Sequence, residues 1–277
     1  QAVGHTGTLD PMATGLLVIA LGSATRLARF IEATDKTYVG TVSLGRATTT
    51  YDAEGETTEE ASIEGIDEAR VAAAAATLLG TIEQQVPVYS AIKVDGERLY
   101  KKARRGEAVD TPTREVVIHE LDITRCALPE VEIRTRVSKG TYIRTLAVQL
   151  GAALGVPAYL SALRRTAVGP HRVDQAMLPA AIDPDRIVPV RQAVDHLAAI
   201  RLDAPTIIDV GHGRILDADR LVALDAPPIS VGQNLRLIDE TGDIVAVATA
   251  VRTIEGAATG EGVLEYACVL KTASEPR

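Results

Sequence analysis

The chain has 277 residues, enough to bury a sizeable core in one large domain plus a small one, and its composition is that of a soluble globular protein, with 46% hydrophobic and 24% charged residues. No apolar run approaches the roughly 20 residues of a membrane span, and no charged-then-apolar leader is visible, so we expect neither membrane attachment nor secretion. Cys126 and Cys268 are too few for a disulfide framework or a zinc site, which favours a reducing, cytoplasmic location.

The net charge of −8 is unevenly distributed along the chain. Residues 1–92 and residues 173–277 each carry a net charge of −7, whereas residues 93–172 carry +6. A localised basic segment in an acidic protein is what a polyanion-binding face needs, but chance clustering of solvent-exposed charges gives the same pattern. Charge alone leaves both interpretations open.

The first part of the chain is predicted to alternate strands and helices. The aliphatic residues 15–21, bounded by glycines, predict a buried strand, and the cap-type Ser23 then precedes a helical apolar spacing. Alternation predicts a strand over residues 38–44, and an alanine-rich stretch predicts a helix over residues 69–79. The acidic residues 52–68 between them are expected to form a solvent-exposed excursion.

The second part begins with strands and ends in a turn-rich unit. Gly140 directs the chain into a helix that ends between Gly151 and Gly155. After Pro170 the composition shifts to acidic residues, prolines and short strands, and residues from about 213 onward predict a small β unit. The other predicted elements are a basic helix over residues 98–105 and strands over residues 116–124 and 131–138.

The segment GHTGTLDPMATGLL, residues 4–17, raises the question of what Asp10 does. Aspartate before proline commonly caps a helix or opens a turn, which is the plain structural interpretation. Asp10 also follows a polar loop, residues 4–8, that includes His5 and two glycines, so exposed backbone donors lie beside a carboxylate. The segment by itself leaves capping and chemistry both open.

Five more polar residues stand out by their surroundings. Tyr38 starts a predicted strand, where it either packs on a neighbour or borders a cleft. Tyr142 and Arg144 open a largely apolar helix, so a satisfied core tyrosine and a salt-bridged arginine are the structural alternatives to a site. Arg164 and Arg165 are adjacent, which predicts either a solvated face or contacts with phosphates.

The order of these motifs carries more information than any one of them. GHTGTLDPxATGLL, KTY, YSAxKxxGxRxY, GTYIRTL and LRRTxxG follow one another as they do in the bacterial tRNA pseudouridine-55 synthases, the TruB family, which this chain resembles. The resemblance is close over residues 1–178 and looser beyond. Members of that family open with a KPxGxTS signature, so we expect an N-terminal segment of the family to precede residue 1.

The resemblance implies an α+β pseudouridine-synthase fold, with a central mixed, largely antiparallel sheet flanked by helices and loops. It also implies a small, β-rich, PUA-like domain, which sets a catalytic domain over residues 1–212 and an RNA-binding domain over residues 213–277. The implied reaction converts the uridine at position 55, in the T loop of tRNA, to pseudouridine. The implied partner is the T-arm stem-loop of tRNA, bound by a monomer without guide RNA, metal or cofactor.

The resemblance also assigns roles to single residues. Asp10 corresponds to the catalytic aspartate of the family, and Arg144 to the arginine that pairs with it. Tyr38 corresponds to the tyrosine that stacks on the target base. The other implied contacts are Tyr142 and Leu163 lining the base pocket, His5 holding the flipped-out RNA, and Lys93, Arg164 and Arg165 near the RNA backbone.

These residue types suit the reaction, which breaks an N–C glycosidic bond and forms a C–C bond. An ionised carboxylate can act in it as a nucleophile or as a base, and an arginine can orient that carboxylate. The uridine must leave its stack, so a tyrosine face replaces the lost stacking and an apolar neighbour excludes water. Whether Asp10 attacks C1′, attacks C6 of the base or takes a proton from C2′ is left open by the sequence.

Other functions remain in competition at this point. The same chemistry could act on another RNA, or in a guide-dependent subunit. The chain could instead be a tRNA-binding folding factor, an RNA chaperone with secondary catalysis. An aspartate-dependent hydrolase without an RNA partner is disfavoured by the basic segment and by the lack of a second candidate acid near Asp10.

Overall fold

The computed structural model describes residues 2–90, 92–94, 97–99, 105 and 110–270, without the side chains of residues 93, 94, 97 and 98. Its helices are α1 (Ala28–Glu32), α2 (Glu68–Ala76), α3 (Ile143–Leu154), α4 (Ala204–Gly211) and α5 (Ala218–Ala223). Short 3₁₀ turns cover Gly22–Leu27, Val173–Gln175, Pro179–Ala181, Pro184–Arg186 and Val190–Gln192. The strands are β1 (Val3–His5), β2 (Thr14–Gly15), β3 (Ile19–Leu21), β4 (Lys36–Leu44), β5 (Arg46–Thr48), β6 (Thr57–Glu60), β7 (Gly80–Gln85), β8 (Lys93–Val94), β9 (Glu97–Arg98), β10 (Thr113–Ala127), β11 (Glu130–Val137), β12 (Ala158–Val168), β13 (His171–Arg172), β14 (Ala198–Arg201), β15 (Asn234–Ile238), β16 (Ile244–Ala250) and β17 (Leu264–Val269).

The chain folds into two compact units, each assembled from separate parts of the sequence. The first unit comprises the described residues of Gln1–Thr6, Ile19–Ile31 and Met177–Arg277. The second comprises those of Gly7–Val18 and Glu32–Ala176. The expected boundary after residue 212 falls within the first unit, and the assignment of residues 213–277 to a separate RNA-binding domain stays a prediction.

A mixed sheet organises the second unit. Its strands lie in the order β13-β12-β4-β11-β10-β7, and every pair in this path is antiparallel. Strand β2 adds to β12 in parallel, which makes seven strands among the described residues. This is the mixed, largely antiparallel sheet that we expected. Two small hairpins, β5–β6 and β8–β9, lie outside it.

Helix α3 packs closely against this sheet because its inward face is apolar. Leu146 and Leu150 are almost fully buried in the core of the second unit. A side chain at Gly151 would place a Cβ only 2.5 Å from Cβ of Ala158 on β12, so a glycine is needed there for the close approach. Gly155 ends the helix in the left-handed region, with φ 76°. The helix is thereby fixed on the sheet, with Arg144 in its first turn.

The aliphatic residues 15–21 do not form the single buried strand predicted for them. Gly15 belongs to β2, residues 16–18 have no regular structure, and the other three form β3, which pairs with β1. Ile19 is 49% exposed. The physical reason is that the chain passes from the second unit to the first between Val18 and Ile19, which a run of aliphatic residues cannot indicate.

In the first unit, β14 to β17 form a four-stranded sheet against α4 and α5. The sheet starts before the predicted position 213, because β14 pairs in parallel with β15. Asp203 and Asp217 cap the two helices by accepting hydrogen bonds from backbone N–H groups of their first turns. Among the described residues, no helix has the length and apolar character required to cross a membrane. The predicted basic helix over residues 98–105 lies almost entirely outside the described residues.

Candidate active site

Asp10 both opens a turn and presents a carboxylate. Its carbonyl oxygen accepts a hydrogen bond from the Ala13 N–H at 2.9 Å, and Pro11 occupies the second turn position, where proline is favoured. Its side-chain Oδ1 accepts a hydrogen bond from Nη2 of Arg144, also at 2.9 Å. The Asp10 side chain is 27% exposed and that of Arg144 only 5%. The backbone therefore makes the turn, while the carboxylate joins an ion pair and stays accessible from one side.

The guanidinium of Arg144 is held by main-chain carbonyls from two loops. Nη1 donates to the carbonyl oxygen of Thr50 at 3.0 Å, and Nη2 donates to that of Tyr89 at 2.9 Å. A guanidinium is a rigid planar fork, so these contacts fix the direction of the donor that reaches Asp10. The order of the family's motifs predicted this pairing of Asp10 and Arg144, and the structure places the two side chains in contact.

A second carboxylate faces the same guanidinium, and the sequence interpretation missed it. Oδ2 of Asp52 lies 3.6 Å from Nε of Arg144, and the Asp52 side chain is only 4% exposed. Its Oδ1 accepts hydrogen bonds from the Thr50 hydroxyl and from the Glu54 N–H. The expectation that no second acid lies near Asp10 is therefore wrong. Asp52 begins the acidic stretch that we interpreted as solvent-exposed, and the three threonines before Tyr51 were the available signal.

Tyr38 lies on β4 in the middle of the sheet, directly opposite Arg165 on β12. Its side chain is buried, and burial raises the pKa of its phenol above the ordinary value of 10.0. The positive charge of the Arg165 guanidinium opposes that increase in pKa, and the Asp10 carboxylate adds to it. Tyr38 is therefore a neutral phenol within electrostatic reach of Asp10.

The two residues predicted to line the base pocket, Leu163 and Tyr142, lie on different elements, a strand and the start of a helix. Leu163 is buried on β12 opposite Gly40, so its side chain shares a sheet face with Tyr38 and Arg165. Tyr142 is the N-cap residue of α3 and half-buried, and its N–H donates to the side-chain oxygen of Gln84 at 2.9 Å. The guanidinium of Arg114 lies 5.3 Å from the centre of the Tyr142 ring, a cation–π contact that holds the ring face.

The two adjacent arginines of β12 point in opposite directions, because side chains alternate along a strand. Arg164 is exposed, as a contact with the RNA backbone requires. Arg165 is only 2% exposed, and its donors reach the carbonyl oxygens of Gly7 and Leu16. The predicted contact of Arg165 with the RNA backbone does not fit this burial.

The structure does not test the roles of two predicted site residues. His5 is exposed at the end of β1 and belongs to the first unit, whereas Asp10 belongs to the second. Lys93 begins β8, but its side chain lies outside the described part of the structure. The proposed roles of these two residues stay predictions.

Lys36, two residues before Tyr38, is a buried lysine of the KTY motif to which the sequence analysis assigned no role. Its ammonium donates to the carbonyl oxygens of Glu32 and Thr34, the latter at 2.7 Å. Burial lowers the pKa of Lys36 from 10.5 to about 8, against the opposing effect of the Glu32 carboxylate. Within the described residues, no group of three or more histidine, cysteine, aspartate and glutamate side chains is placed to hold a metal ion.

The net charge of residues 93–172 overstates how much positive charge this segment presents to solvent. Nε of Arg136 donates to Glu120 at 2.9 Å, and its Nη1 donates to Asp35 at 3.0 Å. The two carboxylates near Arg134, at 3.8 and 3.7 Å, belong to the segment and are already subtracted in its net charge, whereas Asp35 lies outside it. Arg144 and Arg165 are buried, whereas Arg164 is exposed. Of these three arginines, Arg164 is therefore the candidate for a phosphate contact.

Comparison with known proteins places the chain in a family. The model of the TruB family pseudouridylate synthase N-terminal domain matches residues 1–143. The chain is 41% identical over 257 residues to tRNA pseudouridine synthase B of Burkholderia mallei (strain NCTC 10247), covering 90% of this chain and 84% of that protein. It is 50% identical over 184 residues to tRNA pseudouridine synthase B of Thermobifida fusca (strain YX), covering 64% of this chain and 63% of that protein.

Solved structures share the fold at much lower identity. A chain of a Cbf5–Nop10–Gar1 complex superimposes with a TM-score of 0.73 at 23% identity, over 98% of this chain and 77% of that one. A chain of the archaeal box H/ACA sRNP Nop10–Cbf5 complex gives 0.71 at 22% identity, over 99% and 78%. These likenesses confirm the predicted fold class, while the PUA-like character of the small sheet stays a prediction. By the family match and the identity to its relatives, the chain belongs to the TruB family of pseudouridylate synthases.

Proposed function

We propose that this protein converts the uridine at position 55, in the T loop of tRNA, to pseudouridine, with Asp10 as the catalytic carboxylate. The observation that carries the proposal is the ion pair between the partly exposed Asp10 carboxylate and the buried Arg144 guanidinium. The buried Tyr38 lies close enough for the Asp10 charge to raise the pKa of its phenol. The names of the relatives, tRNA pseudouridine synthase B, support tRNA as the substrate class.

The chemistry needs one positioned carboxylate. The bond between N1 and C1′ breaks, the base turns and C5 bonds to C1′. C5 then loses its proton and N1 gains one, so the product is an isomer of the substrate. Oδ1 of Asp10 is held by Arg144 while the carboxylate keeps an open side, so the group can approach the ribose or the base without losing its orientation. Attack at C1′, attack at C6 and removal of a proton from C2′ all use this carboxylate.

The base is held by the sheet face next to Asp10. In this proposal Tyr38 stacks on the flipped-out uridine, and Leu163 and Tyr142 line its pocket. Support comes from the shared face of Tyr38 and Leu163 on neighbouring strands and from the fixed ring of Tyr142. His5 is proposed to support the flipped-out RNA, and Arg164 and Lys93 to contact the RNA backbone.

We further propose that the protein acts alone as a monomer on the T arm, without guide RNA, metal or cofactor. The support is the degree of similarity. The chain is 41–50% identical to the tRNA pseudouridine synthase B relatives but only 22–23% identical to chains from the Cbf5 complexes.

The direct test is nucleotide-resolution pseudouridine mapping of an unmodified tRNA transcript treated with the purified protein alone. We expect a single new pseudouridine at position 55. A transcript with cytidine at that position is the matched control and should gain none. Pseudouridine at another position, or none at all in the presence of the wild-type protein, would contradict the proposal.

Arg164 offers a test of the RNA-binding surface. Because its guanidinium is exposed, Arg164→Met should weaken stem-loop binding and lower the slope of log affinity against log salt by about 1, the contribution of one lost phosphate contact. Filter binding at several salt concentrations measures the slope. Arg70→Met is the control, since Arg70 is also exposed but lies on α2, outside the basic segment. An unchanged slope for Arg164→Met removes this residue from the RNA surface.

A further inference from the structure

We propose that Arg165 is a positioning residue that holds the loop carrying Asp10, residues 7–16, in its reactive conformation. The inference rests on the function proposed above and goes beyond it, because Arg165 itself does not touch the substrate. It replaces the contact with RNA that the adjacent arginines had suggested. The argument depends on how one buried side chain contacts both ends of that loop.

The guanidinium of Arg165 is bound by main-chain carbonyls from the two ends of the loop. Nε donates to the carbonyl oxygen of Leu16 at 2.8 Å, at the C-terminal end. Nη2 donates to that of Gly7 at 3.1 Å, and Nη1 to that of Thr8 at 3.5 Å, at the N-terminal end. Asp10 lies between the two ends, so their separation decides where its carboxylate is placed.

The main chain of β12 holds the same loop. The Leu16 N–H donates to the carbonyl oxygen of Arg165 at 2.8 Å, and Gly15 on β2 pairs with Arg165 in parallel. At Gly15 an added Cβ would lie 2.2 Å from the Arg165 carbonyl oxygen, so the two backbones approach as closely as only a glycine permits. Backbone and side chain of one residue therefore bind the loop together.

Arg165 also contacts the proposed stacking residue. Tyr38 is opposite Arg165 on the neighbouring strand, and the positive charge of the Arg165 guanidinium lowers the pKa of the Tyr38 phenol against the effect of burial. One buried cation therefore lies beside both groups that are proposed to act on the uridine. Arg165 binds the loop that carries the Asp10 carboxylate, and it lies opposite the Tyr38 ring. A displacement of about 1 Å in such an arrangement can cost about 100-fold in rate.

Lysine cannot substitute for this arginine, although it keeps the charge. An ammonium is a single point of donation on a flexible stem, whereas the guanidinium distributes its donors over a rigid fork. Three carbonyls on two ends of a loop require that fork. We therefore expect Arg165→Lys to leave the charge of the site unchanged and to release the loop.

The first experiment compares Arg165→Lys with the wild-type protein on a T-arm stem-loop. We expect the single-turnover rate constant to fall about 100-fold, while the Kd and its salt dependence stay within about 3-fold. Arg70→Lys is the matched control, because Arg70 also donates to a backbone carbonyl, that of Gly65, but on the exposed side of α2. It should retain the wild-type rate.

A second variant reaches the loop without altering the buried arginine. Gly7 has φ +106°, a conformation that L-residues rarely adopt, and a Cβ there would meet no atom closer than 3.8 Å. Gly7→Ala should therefore change the loop backbone alone and slow the single-turnover reaction at unchanged Kd. Amide hydrogen exchange should become faster within residues 7–16 in both variants, and stay slow in α3. Should Arg165→Lys fail to fold, Gly7→Ala carries the test.

The outcomes separate this inference from the proposed function. Formation of pseudouridine by the wild-type protein is measured first, and its absence contradicts the proposed function. If the wild type is active and both variants keep rate constants within about 3-fold of it, the positioning role is wrong. It is equally wrong if Arg165→Lys loses affinity in step with rate, since a residue that acts only on the loop carrying Asp10 leaves the binding of RNA intact.

Discussion

Replacing Asp10 with asparagine should reduce the rate of pseudouridine formation by at least about 1,000-fold, because an amide is neither a nucleophile nor a base of comparable strength. Asparagine has the same shape and suits the first position of the turn, so the fold of the loop should be kept. Its side-chain oxygen can still accept the hydrogen bond from Arg144. Binding of the stem-loop should therefore stay within about 3-fold of the wild type, since phosphate contacts dominate affinity.

Release of tritium from C5-labelled uridine in the stem-loop measures the rate, and filter binding measures the affinity. Asp122→Asn is the matched control, because Asp122 is an exposed aspartate on β10, 3.7 Å from Arg134, and should keep the wild-type rate. Full activity of Asp10→Asn would exclude Asp10 as the catalytic carboxylate. If the variant instead lost catalysis but promoted tRNA folding as well as the wild type, that activity would belong to the folding-factor alternative.

The parts of the fold that the sequence predicted well are those with a long, regular pattern. The strands around residues 38–44, 116–124 and 131–138 lie in the central sheet, where one face must be buried and alternation follows directly. The helix after Gly140 is similarly well marked, because its apolar face packs on that sheet. The single buried strand predicted for the aliphatic residues 15–21 is wrong, because the run is divided between the two units and the sequence does not show where that division falls.

The site was predictable to the extent that it follows motifs. The Asp10–Arg144 contact joins residues 134 positions apart, which no periodicity can reveal, so the order of the family's motifs was the necessary signal. Asp52 lies outside those motifs. Its burial results from a tightly bonded loop within an acidic stretch, which the threonines before Tyr51 indicate only weakly. The burial of Arg165 could have been derived. Leu163 was expected in the base pocket, and a strand places residues i and i+2 on the same face.

Arg144→Met should cost about 3–5 kcal/mol of the free energy of unfolding, because it removes one partner of a buried ion pair and leaves the other charged. The partner that makes this costly is Asp52, whose side chain is 4% exposed, rather than the more accessible Asp10. Urea unfolding measures the change. Arg136→Met is the control, since Arg136 pairs with carboxylates at a 40% exposed position and should cost less than about 1 kcal/mol.

The double variant Arg144→Met with Asp52→Asn separates stability from catalysis. Neutralising Asp52 removes the uncompensated charge, so we expect it to recover about 1–3 kcal/mol of the loss as coupling between contacting residues. Activity should not recover, because Asp10 still lacks the guanidinium that orients it, and the rate should stay at least about 100-fold below the wild type. A double variant no more stable than Arg144→Met would show that Asp52 does not depend on this arginine. A double variant that regained activity would show that Arg144 serves the fold and not the orientation of Asp10.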